Sequence, residues 1–283
     1  SIFYILLFSY LSNMKLPDPI FILDRIPALD DKLIVLLETL SPVDWKKQTI
    51  APKWKVEDVV LHLLDGNIRT LSIHRDQHFG VPPEKISSYQ DLVNYLNQLN
   101  ADWITAAKRM SPKLVLDLLK LTNKEVAEYL QTINPFQTAL FSVAWAGEEQ
   151  SANWFHWARE YTEKWHHQQQ IRLAIGDEHE LLKEKWYLPY LDTSIRALPY
   201  HYRDVVGKEN DLVKFTFLGE NEKCWYLHYK EGWELLVSTK QEPTSEVIIR
   251  DEYAWKIFTK AINRDEAIAN SKILGDQRLG ERI

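Results

Sequence analysis

The sequence predicts a two-domain α+β protein: an antiparallel helix bundle over residues 14–205, followed by a small α+β domain over residues 206–283. Two observations carry this. Up to about residue 204, apolar residues recur at helical spacing in long segments joined by short loops, the pattern of antiparallel bundles. After Gly207 the period shortens, and short runs rich in aromatic and β-branched residues alternate with turn residues before helical spacing returns. Composition agrees with a soluble globular chain: 283 residues, 45% hydrophobic and 26% charged. With 34 basic and 40 acidic residues interspersed, the net charge of −6 recommends no nucleic-acid partner.

Residues 1–12, SIFYILLFSYLS, are apolar but shorter than the roughly 20 residues a membrane-spanning helix needs. They also lack the basic leader and small-residue cleavage site of a secretory signal. Met14 is the expected biological start, so residues 1–13 are excluded from the fold argument. The single cysteine, Cys224, excludes an internal disulfide and fits a reducing, cytoplasmic compartment. It lies among strand residues and reads as a packing residue.

From Asp24 the first helix places Ile34, Leu37 and Leu40 at helical spacing, and Ser41-Pro42 closes it. A polar loop carrying Trp45 and Trp54 leads to the second and most periodic helix, with Val56, Val59, Val60, Leu63, Leu64 and Leu71 in one stripe and His62 at its border. Residues 80–83 form a turn. A third helix is capped at Ser87 or Ser88, and a fourth starts at Ser111-Pro112, an N-cap followed by an N1 proline, and runs to about Ile133. Residues 151–176 form a fifth helix, from Ser151 as N-cap to Gly176 as stop. Another covers residues 181–204, interrupted near Pro189 or Pro199. Four strands follow, in DLVKFTFLG, KCWYLHYK, GWELLVST and SEVIIR. Asp251 then caps a helix over EYAWKIFTKAI, and GDQRLGERI forms a last short one.

The fifth helix carries the chemistry. Trp154, Trp157, Ala158, Tyr161 and Trp165 share one stripe, a packing face. Glu163 and His167, four residues apart and nearly opposite that stripe, leave the helix one turn above the other, the arrangement two ligands of one ion need. A Glu–His pair at this spacing is also what a solvated helix face carries, so spacing alone leaves both readings open. His62, taken alone, reads as a satisfied core histidine.

Two segments bear a resemblance. Trp54, Val56, Asp58, Val59, His62 and Leu63 in WKVEDVVLHLL resemble a signature of the mycothiol-dependent maleylpyruvate isomerase family, part of the DinB-like four-helix-bundle group. Arg159, Glu163 and His167 fill its second signature, an arginine, glutamate and histidine each four residues apart. The resemblance implies a DinB-like antiparallel four-helix bundle and a small C-terminal α/β domain similar to sterol-carrier folds, with Gly275-Asp276 as its terminal motif. It also implies a divalent metal, usually zinc, held by His62, Glu163 and His167, with an open position for the sulfur of a low-molecular-weight thiol such as mycothiol or bacillithiol. His166, adjoining His167, is an alternative ligand at i+3 from Glu163, and Gln168, Gln169 and Gln170 stand where isomerase members often continue with an acidic residue.

The expectation is therefore a metal-dependent, thiol-using isomerase or S-transferase acting on a small-molecule substrate, with no membrane partner. Asp58 is either a second-layer partner of His62 or a first-turn carboxylate favoured by the helix dipole. Arg69, Arg159 and Arg172 are candidates to grip an acidic substrate. Metal-assisted hydrolysis and a non-catalytic binding bundle are the alternatives. A di-iron carboxylate bundle is disfavoured, because only Glu163 and His166 fit its Glu-x-x-His spacing.

Overall fold

The computed structural model describes residues 14–81 and 86–283. Residues 1–13, and Pro82 and Pro83 of the expected turn, lie outside the described residues. The fold is mixed, helical in its first part and built on a five-stranded sheet in its last. Among the described residues, no helix is long and apolar enough to cross a membrane.

The described chain divides into two compact units, each made of separated segments. The helical unit comprises Ile22–Leu140 and Glu163–Glu178, and the sheet unit comprises residues 14–21, Phe141–Thr162 and His179–Ile283. In the helical unit, α1 is Arg25–Thr39, α2 Val56–Arg69, α3 Tyr89–Ala107 and α4 Pro112–Leu130. The caps explain two of these starts: Ser88 accepts from the Asp91 N–H, and Ser111 accepts from the Leu114 N–H with Pro112 at the first helical position. Leu33 and Leu37 of α1, Val59, Val60 and Leu64 of α2, Ile104 of α3 and Val115 and Leu119 of α4 form one buried core. Burial of each such side chain contributes about 1.5–3 kcal/mol. Beyond Arg69, α2 continues as a π-helical turn, Thr70–Arg75, which the apolar periodicity does not reveal.

The long helix α5, Asn153–Ile175, has residues 153–162 in the sheet unit and residues 163–175 in the helical unit. It ends at Gly176, whose φ of +82° is the left-handed conformation of a helix stop. Its start departs from expectation. Ser151 does not cap it: the hydroxyl accepts the Val143 N–H at 2.8 Å and donates to Glu148, and the helix begins two residues later.

In the sheet unit, α6 is Glu184–Ile195 and α7 Leu198–His201. Pro189 sits inside α6 without ending it, and the break falls at Arg196-Ala197, just before Pro199. The strands β1 Leu212–Leu218, β2 Lys223–Tyr229, β3 Trp233–Leu236, β4 Ser245–Arg250 and β5 Ser271–Gly275 form a sheet of order β3-β2-β1-β4-β5. All pairings are antiparallel except β1 with β4, where Phe215 lies beside Val247. Val213, Phe215, Phe217, Trp225, Leu227, Val247 and Ile249 are buried on one face. β5 was not expected: Ser271–Gly275 is a short edge segment that pairs only with β4. The helices α8 Asp251–Phe258, α9 Arg264–Ala269 and α10 Gln277–Gly280 complete the unit. Asp251 is the first residue of α8 rather than its cap. The Tyr187 and Tyr190 hydroxyls of α6 donate to the Asp251 and Trp255 carbonyls at 3.2 and 3.4 Å. Lys15 bridges to Ser238, its carbonyl accepting from the Val237 N–H at 2.7 Å, so residues 14–21 belong with the sheet.

Candidate functional site

The site lies within the helical unit, between α2 and the second part of α5. α2 is started by Asp58, whose carboxylate accepts the Lys55 N–H at 2.9 Å and pairs with Lys108 at 3.0 Å. That is the first-turn role, and neither partner belongs to the His62 group. One turn on, His62 projects against Trp54, ring centroids 4.8 Å apart, and against His167 edge-on at 4.6 Å. Its Nδ1 is buried and has no hydrogen-bond partner, so His62 is not the satisfied core histidine that its position suggested. Burial first, and the neighbouring His167 second, hold its pKa well below the ordinary imidazole value. At neutral pH the ring is uncharged and both a lone pair and an N–H are available.

His167 is 7% exposed, which excludes the reading of a solvated surface pair. Its Nδ1 lies 3.0 Å from Gln170 Oε1, and its Nε2 lies 3.6 Å from Glu163 Oε2. Trp54 covers this ring as well, at 5.6 Å. His62, Glu163 and His167 each offer one ligand atom, and these atoms lie within 4.8 Å of one another. Arms of about 2.0–2.2 Å around a tetrahedral ion put neighbouring donor atoms about 3.3–3.6 Å apart. The His167–Glu163 edge is at that separation and the widest is looser, so the donors are gathered without being drawn in. Among the described residues the convergent group contains His167 rather than His166, whose ring lies tilted beside it with centroids 3.9 Å apart.

Residues 26–172, just over half of the chain, match the family model described as the mycothiol maleylpyruvate isomerase N-terminal domain. The chain belongs to this family. Both signatures, from Trp54 to Leu63 and from Arg159 to His167, fall inside the matched residues. Among solved structures, the chain is similar to the mycothiol-dependent maleylpyruvate isomerase and to a histidine-to-alanine mutant of it. The mutant is 10% identical with a TM-score of 0.48, covering 85% of this chain and 90% of that one. The unmutated enzyme is 10% identical with a TM-score of 0.47, covering 83% and 88%. The apo form of sterol carrier protein 2 from Yarrowia lipolytica is 12% identical with a TM-score of 0.26, covering 36% of this chain and 86% of that one. No curated protein sequence matches the chain.

Of the three arginines considered for an acidic ligand, Arg69 is electrostatically coupled to His62, and it pairs with Asp65 at 3.0 Å. Arg172 is buried against Asp177, and Arg159 pairs with Glu160 in the sheet unit. Cys224 is half-buried, its sulfur 3.6 Å from the Tyr226 hydroxyl.

Three participants have roles that the sequence reading did not assign. Trp54, placed in a polar loop, is an aromatic wall against both imidazoles. Gln170 meets His167, and its spacing of three residues on one helix was the available signal. Lys164 donates to Asp30 at 2.8 and 3.0 Å and to Asn67 Oδ1 at 2.8 Å, a buried polar junction of α5, α1 and α2. An aspartate between core residues Leu29 and Leu33 was its trace in the sequence. Burial raises the Asp30 pKa, and Lys164 opposes that shift.

Proposed function

We propose that this family member is a metal-dependent enzyme that uses a low-molecular-weight thiol on a small-molecule substrate, as an isomerase or S-transferase of the maleylpyruvate isomerase type. The observation that carries the reading is the convergence of His62, Glu163 and His167 in one partly buried cluster. The donor set fits a divalent cation, with zinc first among candidates: two imidazoles and a carboxylate leave a fourth position open, as catalytic zinc sites do. The buried, unpartnered His62 Nδ1 and the His167 Nε2 facing a carboxylate oxygen are polar atoms for which an ion is a suitable partner. A cation held there would keep a bound mycothiol- or bacillithiol-type thiol ionised at neutral pH, supplying the nucleophile.

The chain's own residues do the rest. Burial keeps His62 neutral, so its lone pair is free for coordination rather than protonated. Trp54 screens one side of both imidazoles from water, which strengthens electrostatic interactions inside. Arg69, two turns beyond His62 on α2, is the cation best placed to attract an acidic group. With this reading goes the division into a DinB-like four-helix bundle over residues 14–205 and a sterol-carrier-like domain over residues 206–283, and a cytoplasmic setting in keeping with the lone Cys224.

The test is metal content by elemental analysis of purified protein and of His62→Ala and His167→Ala. The expected result is about one ion per chain, lost in both variants, with turnover of an electrophilic substrate only when a thiol is added. Turnover without thiol would replace the reading by metal-assisted hydrolysis. A wild-type protein that can be neither isolated with metal nor loaded with it would leave a non-catalytic helical binding module.

A further inference from the structure

Three successive glutamines follow His167, all buried, and their amides do different things. Gln169 donates to the Glu178 carbonyl at 2.8 Å. Neither amide atom of Gln168 has a hydrogen-bond partner. Gln170 alone meets a ring of the candidate site, with its Oε1 3.0 Å from His167 Nδ1. We infer that Gln170 is a positioning residue: its carbonyl oxygen fixes His167 as the Nδ1–H tautomer, so that the Nε2 lone pair is presented to a divalent cation shared with Glu163 and His62.

The argument is one of donors and acceptors. A neutral imidazole carries one proton, and the nitrogen that donates it leaves the other as an acceptor. An amide oxygen on Nδ1 requires the proton there. Nε2 then faces Glu163 Oε2 at 3.6 Å, lone pair against carboxylate, and two acceptors so placed are satisfied by a cation between them. The opposite amide orientation would put an N–H on Nδ1, send the proton to Nε2 and turn it towards Glu163. The His167–Glu163 edge would then need no ion, and only His62 Nδ1 would still lack a partner. The Gln170 amide orientation therefore decides whether the apo site is poised for metal or closed against it. Glu163, His167 and Gln170 follow one another on α5 at spacings of four and three residues, so a single rigid helix holds ligand, ligand and orienter in one stripe. Gln170 is also neutral. It orients the ring as a carboxylate would, without adding negative charge around the ion.

This inference rests on the metal reading above, and its test separates the two. Zinc affinity is measured by chelator competition for the wild type, Gln170→Leu and Gln170→Glu. In parallel, the His167 tautomer is read in the metal-free proteins from the ring nitrogen shifts of ¹⁵N-histidine-labelled samples, at a pH where the imidazole is neutral. The wild type is expected as Nδ1–H. The leucine variant is expected to lose that preference and to bind zinc about 10–100-fold more weakly. The glutamate variant is expected to keep Nδ1–H and to bind at least as tightly, which also serves if the leucine variant does not fold. An Nε2–H wild type, a leucine variant with unchanged tautomer or affinity, or a glutamate variant that binds more weakly overturns the role of Gln170. A wild type that binds no zinc overturns the metal reading instead, while the metal-free spectra still decide the tautomer.

Discussion

The two parts of α5 bury different chemistry. In the sheet unit, Phe155, Trp157, Ala158 and Tyr161 are buried with two polar residues among them, His156 and Thr162, and the Tyr161 hydroxyl reaches the Trp186 carbonyl at 2.8 Å. In the helical unit, His167, Gln168, Gln169, Gln170 and Arg172 are buried beside Trp165 and Ile171, and half-buried Lys164 reaches Asp30. Buried amides, imidazoles and charges cost free energy unless they are hydrogen-bonded or paired. One helix thus contributes mainly apolar packing at one end and a denser polar interior at the other. Such departures from local rules are expected where function lies.

Substitution can break this contrast. Lys164→Met leaves Asp30, 3% exposed, without its cation, and is expected to cost about 3–5 kcal/mol in urea unfolding. The double variant Asp30→Asn/Lys164→Met is expected to recover most of that loss, because the partner charge is gone. Phe155→Ala is expected to cost about 3–5 kcal/mol as well, through a cavity that no change of charge repairs. If Lys164→Met alone is nearly neutral, the polar half is not a demanding interior and the comparison fails.

A smaller effect is expected at Gln168, whose amide oxygen and nitrogen are both buried without partners. Gln168→Leu removes an unsatisfied group in favour of an apolar one of similar size and is expected to stabilise by about 1 kcal/mol. The check is a higher urea midpoint at unchanged slope. Destabilisation would mean that the amide is serving a partner.

A pH-dependent effect concerns Asp251, a buried acid of the other interior. Burial raises the Asp251 carboxyl from 3.8 to about 7. Because the folded pKa lies above the unfolded one, the native state holds the extra proton, and ionisation works against folding. Stability is fully present below about pH 4, falls as pH rises towards 7, and is level above that. Asp251→Asn is expected to flatten this slope between about pH 4 and 7 in thermal melts, and an unchanged slope would assign the titration elsewhere.

Legibility in the sequence followed locality. Ser88, Ser111-Pro112 and Gly176 could be read as helix ends because each acts on its own neighbouring backbone. Ser151 looked the same, yet its hydroxyl serves Val143, eight residues away, and no local rule announces that. Of the two prolines expected to interrupt the next helix, Pro189 leaves it unbroken, and the break falls at Arg196-Ala197, just before Pro199. β5 was missed because Ser271–Gly275 lacks alternation and is made a strand by its β4 partner. At the site, Glu163 and His167 were visible as a helical pair. The convergence of His62 on them was implied only by the family signatures, since it depends on how α2 and α5 meet. Gln170 stayed hidden because three adjacent glutamines look alike until their partners are known.

The interleaving of the two units sets an order of assembly during synthesis. The helical unit has its last segment, Glu163–Glu178, on the ribosome well before any strand has been made. The sheet unit begins with residues 14–21, which must wait for Val237 and Ser238, and its β1 must wait for β4 to supply the parallel neighbour. Parallel pairing of distant segments is slow and leaves strand edges open meanwhile. A nascent chain can therefore complete the surroundings of His62 and His167 first, while its earliest described residues stay unclaimed until the sheet emerges.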